Sequence, residues 1–357
     1  MLTRLDSRLL RAALFVLAIA AAYFVATLLL GTPVHAETVE PDVATTTGGG
    51  VTATRLIQQI INGTVFGILL ALASVGLSLI YGTTGLSNFA HGEQVTLGAV
   101  LCYFFATPQP VTFPLIPTQF HFGFPLWLAA LLAVVIAGGT GWLQDRFLWN
   151  PLRRRRVGAL QQMIVSIGLA LALLNFLQWW VGVQRYRLTV SIDTRFTFGN
   201  FYIGRQTLLS VIIALMVLLA VSLFLLKTRL GRATRAISDN PALASASGIR
   251  VDGIIRLVWI LATALAALGG VLLALYENGF GFDSGGRLLL LMFAAVTLGG
   301  LGQAFGALVG SLVIGLVTEV STLFVPPDLK YASALAILIL VLLVRPQGIL
   351  GRAERVG

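Results

Sequence analysis

Between two strongly apolar runs the chain reads Tyr81-Gly-Thr-Thr-Gly-Leu-Ser-Asn-Phe-Ala-His-Gly-Glu93. Gly82, Gly85 and Gly92 stand there among the hydroxyls of Thr83, Thr84 and Ser87 and the polar side chains of Asn88, His91 and Glu93, and no basic loop separates the two runs. Glycine lets a helix break, and broken backbone at membrane depth persists only where protein or a watery cavity satisfies its polar groups. An ionisable side chain in such a place costs about 2.5–3.5 kcal/mol on insertion scales, so it faces a cavity or a partner. Asn88, His91 and Glu93 are therefore candidates for lining a solute path, or for a polar hinge beside one. The competing reading is a cytoplasmic turn that opens a helix, with Asn88 as its cap and Glu93 at the positive end of its dipole.

Glu319 is a fourth candidate for the path. It lies in an apolar span with Thr318, Ser321 and Thr322, facing either the bundle interior or the outer headgroups. Glu277 and Asp283 flank Gly279 and Gly281 and read as a solvated outer loop, with Arg287 able to pair with either acid.

Other chemistries are excluded or unsupported. His35, His91, His121 and the single Cys102 are too few and too scattered for a metal site. Neither of the two lysines, Lys227 and Lys330, follows a glycine, so no Walker A loop exists and the chain has no ATPase site of its own. No Ser/Lys, paired-Asp or His-Glu-x-x-His arrangement supports an intramembrane enzyme. The expected function is transport without bond-breaking chemistry, with no cofactor bound by this chain.

The elements that must position these residues are membrane helices. Only 11% of the residues are charged and 57% are hydrophobic. Apolar runs of about twenty residues match a hydrocarbon core of roughly 30 Å at about 1.5 Å per helical residue. The runs fall at 56–80, 86–106, 125–145, 159–181, 207–227, 254–276, 288–301, 304–325 and 331–345. The expected fold is all-α, a polytopic bundle of about eight or nine spans with broken or re-entrant helices; 288–301 and the Gly-rich 298–310 form either two spans or a re-entrant pair. The net charge of +10 does not indicate nucleic acid, because the arginines flank spans instead of lining one polar face. Arg146 and Arg153 to Arg156 share one gap, Lys227 to Arg256 another, and Arg345 to Arg355 end the chain. If every run crosses, these three regions share one side, which the positive-inside rule makes cytoplasmic, carboxy terminus included. The 182–206 gap breaks the trend, with Arg185, Arg187, Arg195 and Arg205 against Asp193.

Arg4, Arg8 and Arg11 precede an apolar stretch and the small-residue site Val34-His35-Ala36, so residues 1–36 read as a signal peptide or an uncleaved anchor. Residues 37–54 read as a flexible extracytoplasmic tail, and 55–352 as the transmembrane domain, the 228–253 loop included. Gly302, Gly306 and Gly310, like Gly63 and Gly67, recur every four residues and imply close helix packing.

The 228–253 loop is too polar to span. Within it Asn240 suits an N-cap, Pro241 the first helical position and Gly248 the residue after the helix. The alanine-rich stretch between them predicts a helix of about two turns, marginal alone in water, which must dock on a partner or on its own bundle.

Gln58-Gln-Ile-Ile-Asn62-Gly63, Asn88-Phe-Ala-His-Gly-Glu93, Gly231-Arg-Ala-x-Arg-Ala, the Asn240-x-x-x-Ala244-x-x-x-Gly248-Ile249 spacing and the closing Arg345-Pro-Gln-Gly-Ile-Leu350 form one set. With Ala267-Leu-Gly-Gly-Val-Leu272, Leu298-Gly-Gly-Leu-Gly302 and Gly306-Ala307, they resemble the branched-chain amino acid (LivH-like) permeases of ABC importers over about residues 55–352. The family more often has an acid at position 240; here Asp239 lies beside Asn240. The resemblance implies that Asp239, Asn240, Pro241, Leu243 and Gly248 belong to a coupling helix that docks on an ATPase. It also implies a second homologous permease subunit, two cytoplasmic ATPase subunits through which ATP acts, and an extracytoplasmic substrate-binding protein. The cargo would be branched-chain or other amino acids. Related urea-type permeases carry a similar amino-terminal extension, which keeps urea or short amides as the alternative. A stand-alone channel in the lipid bilayer is the rival from another class, and nucleic acid is not an expected partner.

Overall fold

The computed structural model describes residues 53–344, apart from 109–110, 114–115, 121, 189–193, 199–200 and 327–328. The leader 1–36, nearly all of the tail 37–54 and the closing Arg345–Leu350 motif lie outside these residues. Each expected apolar run carries a helix among the described residues, the run 86–106 only from His91 onward. In chain order the helices are α1 (Ala53–Thr84), α2 (His91–Ala106), α3 (Leu126–Gln144), α4 (Asn150–Arg154), α5 (Ala159–Val181), α6 (Arg205–Lys227), α7 (Arg229–Asp239), α8 (Pro241–Ala246), α9 (Val251–Tyr276), α10 (Ser284–Gly299), α11 (Ala304–Val320) and α12 (Lys330–Val344). Among the described residues, six helical segments are long and apolar enough to cross a membrane. The helices α2, α10 and α12 have 16, 16 and 15 residues, about 24 Å at 1.5 Å per residue, short of a roughly 30 Å hydrocarbon core.

The helical bundle stands as expected, and its connections add two short hairpins. The 107–124 gap holds an antiparallel pair, β1 (Val111–Phe113) with β2 (Ile116–Phe120), and the 182–206 gap holds a second, β3 (Arg195–Phe198) with β4 (Phe201–Gly204). Both lie in connections, where an extended hairpin satisfies its own backbone groups at the bundle's edge.

At the centre stands α1, apolar on all faces and therefore buried. Its glycines set the helix approaches. A Cβ at Gly63 would lie 2.8 Å from Leu316 of α11, one at Gly67 2.8 Å from the Ser311 carbonyl, and one at Gly76 2.7 Å from the Ala262 carbonyl of α9. Likewise α10 and α11 form a hairpin whose backbones meet at Gly299 with Gly306 and at Ala295 with Gly310. The four-residue glycine spacing thus serves packing, as the sequence indicates.

The run 125–145 does not stop at its apolar end. It continues through a π-helical turn, Asp145–Trp149, into α4, and so carries Arg146, Arg153 and Arg154 inside helix. Two contacts account for this extension. Trp149 stacks on Trp259 of α9 with centroids 5.2 Å apart. The fully buried Asp145 accepts from Arg153 at 2.6 Å and from Arg256 of α9 at 3.2 Å. Arg154 reaches Asp252 at 3.9 Å, and Ser238 of α7 lies against Gly82, so two of the basic gaps meet at one end of the bundle. We refer to it as the arginine-rich end. Removing a buried charge strands its partners, and these two guanidiniums keep some water. Asp145→Ala is therefore expected to cost about 3 kcal/mol, the low end for such a loss. It would be read as an earlier thermal unfolding transition of the detergent-purified protein, with Asp145→Glu losing less; equal transitions for all three would show that the triad contributes nothing.

Candidate functional site

The polar break between α1 and α2 folds back into the bundle. Gly85 turns the chain with φ +68°, and Gly85 N–H donates to the Tyr81 carbonyl at 2.7 Å. Six residues later His91 opens α2, and its Nε2–H donates to the Ala73 carbonyl at 2.9 Å. Ala73 precedes Thr84 by eleven residues, so α2 begins about 16 Å up the central helix from the end of α1. The segment is therefore a return into the bundle and not a surface turn. The cap reading is also corrected: Ala90 stands at the N-cap position, and the buried Asn88 instead accepts from the Ala90 N–H at 3.2 Å, closing a local turn. Ser166 of α5 holds the break from outside, accepting from the Phe89 N–H at 3.2 Å and lying 3.3 Å from the Ser87 carbonyl. The sequence reading missed Ser166; a lone serine inside an apolar span was its signal.

Helix α10 starts at the same depth. Its Gly285 N–H donates to Thr96 Oγ1 at 2.8 Å, and Gly285 and Gly92 touch backbone to backbone. Two helices too short to span, the half-helices of the bundle, thus meet inside it with their amino-terminal turns packed together. Glu93 lies beside Gly286 there, 4% exposed, and its Oε2 has no hydrogen-bond partner among the described residues. The same holds for Asn88 Nδ2, His91 Nδ1 and Gln94 Nε2. The arrangement is polar, buried and locally unsatisfied. His91 ties α1 to α2, whereas Glu93 keeps an acceptor free.

Glu319 sits elsewhere. At the end opposite the arginine-rich one, a cavity of about 490 Å³ opens between α1, β4, α6, α9, α11 and α12, within the roughly 300–1,000 Å³ typical of small-molecule sites. Glu319 is buried on its wall and accepts from Lys330 Nζ at 3.2 Å. Lys330 Nζ also lies 5.7 Å from the Phe66 ring centroid and 5.3 Å from that of Tyr331. Tyr331 donates its hydroxyl to Glu277 Oε1 at 3.0 Å, and Tyr276 to the Asn62 carbonyl at 3.4 Å. Glu277 is thus a cavity residue and not one of a solvated loop, a correction to the sequence reading. Arg287 pairs with Asp283, at 3.1 Å. Arg185 also lines the cavity; it belongs to the gap that violates the charge rule. Neither Asn88, His91 nor Glu93 lines this space.

At the arginine-rich end, α7 and α8 form a short helical pair that the sequence reading captured only in part. The Thr228 hydroxyl caps α7, accepting from the Gly231 N–H at 2.9 Å. The Asn240 side chain caps α8, accepting from the Leu243 N–H at 3.0 Å, with Pro241 in the first turn and Gly248 beyond the helix at φ +83°. Ile237 and Ala244 bury against Ile254 of α9 and fix the pair to the bundle. Asp239 closes α7, and Leu243 points outward, 65% exposed.

The family model described as the permease component of the branched-chain amino acid transport system matches residues 59–342. The chain is similar to the high-affinity branched-chain amino acid transport system permease protein LivH of Escherichia coli, 32% identical over 304 residues, covering 84% of this chain and 96% of the relative. It is similar to BraD of Pseudomonas aeruginosa, described in the same words, 30% identical over 309 residues with the same coverage. It is also similar to a probable branched-chain amino acid transport permease protein LivH of Methanocaldococcus jannaschii, 29% identical over 307 residues, 82% of this chain and 92% of the relative. No solved structure matches the chain at a significant level.

Proposed function

The chain belongs to the family of branched-chain amino acid transport permeases, and from that membership we propose that it is the translocating subunit of an ATP-driven importer of branched-chain amino acids. The observation that carries the ATP-driven part is the capped helix α8. It is anchored by Ala244 and Ile237 yet turns Leu243 to solvent. A passive pore needs no such rigid apolar knob at its cytoplasmic face; a subunit moved by a motor does.

In this reading the arginine-rich end faces the cytoplasm. Two ATPase subunits dock there, one on each of two homologous permeases, and their closure pushes α7 and α8. The pair rests on the start of α9 and beside Gly82 of α1, so a push there reaches the helices that carry the polar break. A binding protein delivers solute to the opposite end, above the cavity. Solute passes inward as the bundle alternates between outward and inward access, with Glu93, Asn88 and His91 at the level where the half-helices meet.

Deletion of the gene is expected to abolish uptake of labelled leucine and to leave uptake of labelled urea unchanged. The affinity-purified chain is expected to bring down two ATPase polypeptides and a second permease. Uptake of leucine by the purified chain alone, without nucleotide, would overturn the reading.

A further inference from the structure

Among the described residues, the cavity at the end opposite the arginine-rich one holds both signs of charge. Glu277 and Glu319 supply two carboxylates, Lys330 and Arg185 two cations, and Ile61, Val65 and Ile203 an apolar wall. These groups come from five separate stretches of chain: α1, the α5–β3 connection with β4, the end of α9, the end of α11 and the start of α12. The buried Glu319 and half-buried Lys330 are charges that are costly unless paired or used, and their pair needs neither the second acid, the half-buried Glu277, nor the second cation, Arg185 exposed at the rim. We propose that this cavity binds the zwitterionic head of the solute, Lys330 and Arg185 taking the α-carboxylate, Glu277 and Glu319 the α-ammonium, with the side chain against Ile61, Val65 and Ile203. The inference rests on the importer reading above and adds the place and chemistry of recognition.

The geometry specifies more than a polar hole. Tyr331 donates to Glu277 and Lys330 bonds Glu319, so both acids are already oriented before a ligand arrives. An incoming ammonium group competes with Lys330 for Glu319, while the solute carboxylate offers Lys330 a replacement. The internal ion pair therefore opens only for a molecule that carries both charges. Urea carries neither charge and gives no such exchange. Glutamate carries a second carboxylate that would approach Glu277 or Glu319, and like charge at short range disfavours it. The selected class is a neutral zwitterion with an apolar side chain.

The test uses the whole importer in proteoliposomes, with leucine-loaded binding protein outside and ATP inside. Two readouts are taken, labelled leucine uptake and the ATPase stimulation caused by the loaded binding protein. Glu319→Gln and Lys330→Met are each expected to lower uptake at least about tenfold, the loss of one charge-assisted bond, while stimulation stays within about twofold of the unaltered complex. Glu277→Gln, which keeps the bond from Tyr331 and leaves the ion pair intact, is expected to lower uptake several-fold and guards against misfolding of the first two. The decisive variant is the swap Glu319→Lys with Lys330→Glu. It restores an ion pair, and with it folding, but exchanges the positions of the charges. Recognition predicts that the swap remains impaired. Restoration of leucine uptake by the swap, or full uptake by the single variants, overturns the proposal by making the pair purely structural. An unaltered complex that neither transports leucine nor responds to the binding protein would instead count against the importer reading itself.

Discussion

Leu243→Asp is expected to lower nucleotide-driven uptake by about a hundredfold, the effect of losing a central apolar anchor from a docking interface. Leu243 is 65% exposed in the isolated chain and projects from α8 away from the bundle. Burying such a side chain in a partner's groove is worth about 1.5–3 kcal/mol, and placing a carboxylate there instead adds the cost of a desolvated charge. The substitution leaves the Asn240 cap, the Pro241 start and the Ala244 anchor untouched, so the chain should insert and fold as before. Co-purification of the ATPase subunits and leucine uptake should fall together, with the amount of permease in the membrane unchanged. Normal uptake with Asp at position 243 would remove the docking role from α8. Leu243→Met, which preserves an apolar knob of similar volume, serves as the control.

Gly285→Val should act on the other side of the machine, by destroying the junction of the half-helices. A Cβ at Gly285 would fall on the carbonyl oxygen of Gly92 and close to Thr96 Oγ1, and a Cβ at Gly92 would fall on the carbonyl of Gly285. Backbone faces backbone there, so no flexible side chain can swing aside. The expected cost is about 3 kcal/mol or more, the upper range for overpacking, seen as a permease that no longer elutes as a single species from detergent. Gly139→Ala gives the contrast. That glycine lies on an exposed face of α3 with nothing within 4 Å of an added Cβ, and an exposed helical glycine replaced by alanine gains roughly 0.5–1 kcal/mol. If both variants behave alike, close approach of the half-helices is not what holds this region together.

The two substitutions probe parts of the chain that differ in how readable they are. The α8 helix is written locally: Asn240, Pro241 and Gly248 each do the job their residue type favours, within nine positions. Helix α7 beside it is less visible. Its three buried positions, Gly231, Thr234 and Ile237, recur every three residues, but two are not strongly apolar and the surrounding arginines hide the stripe. The half-helix junction is half legible. The glycines and polar residues of 81–93 announce a break, yet only the bond from His91 to Ala73 shows that the chain turns back into the bundle.

Sequence by itself determined the membrane class, the positions of the apolar helices among the described residues, the glycine-lined crossings and the capped helix at 240–248. Each of these is a short-range property: the length of an apolar run against bilayer thickness, the four-residue spacing on one helix face, or the backbone preference of a single residue. Tertiary structure alone decided that Glu277, Glu319, Lys330 and Arg185 share a cavity, that Asp145 binds arginines from α4 and α9, and that α2 and α10 pack their first turns together. Periodicity tells which face of a helix is apolar, but not which helix ends become neighbours. A charge near a span's end has the same local pattern whether it meets water, headgroups or a partner from a distant helix, and only the packed bundle distinguishes these outcomes.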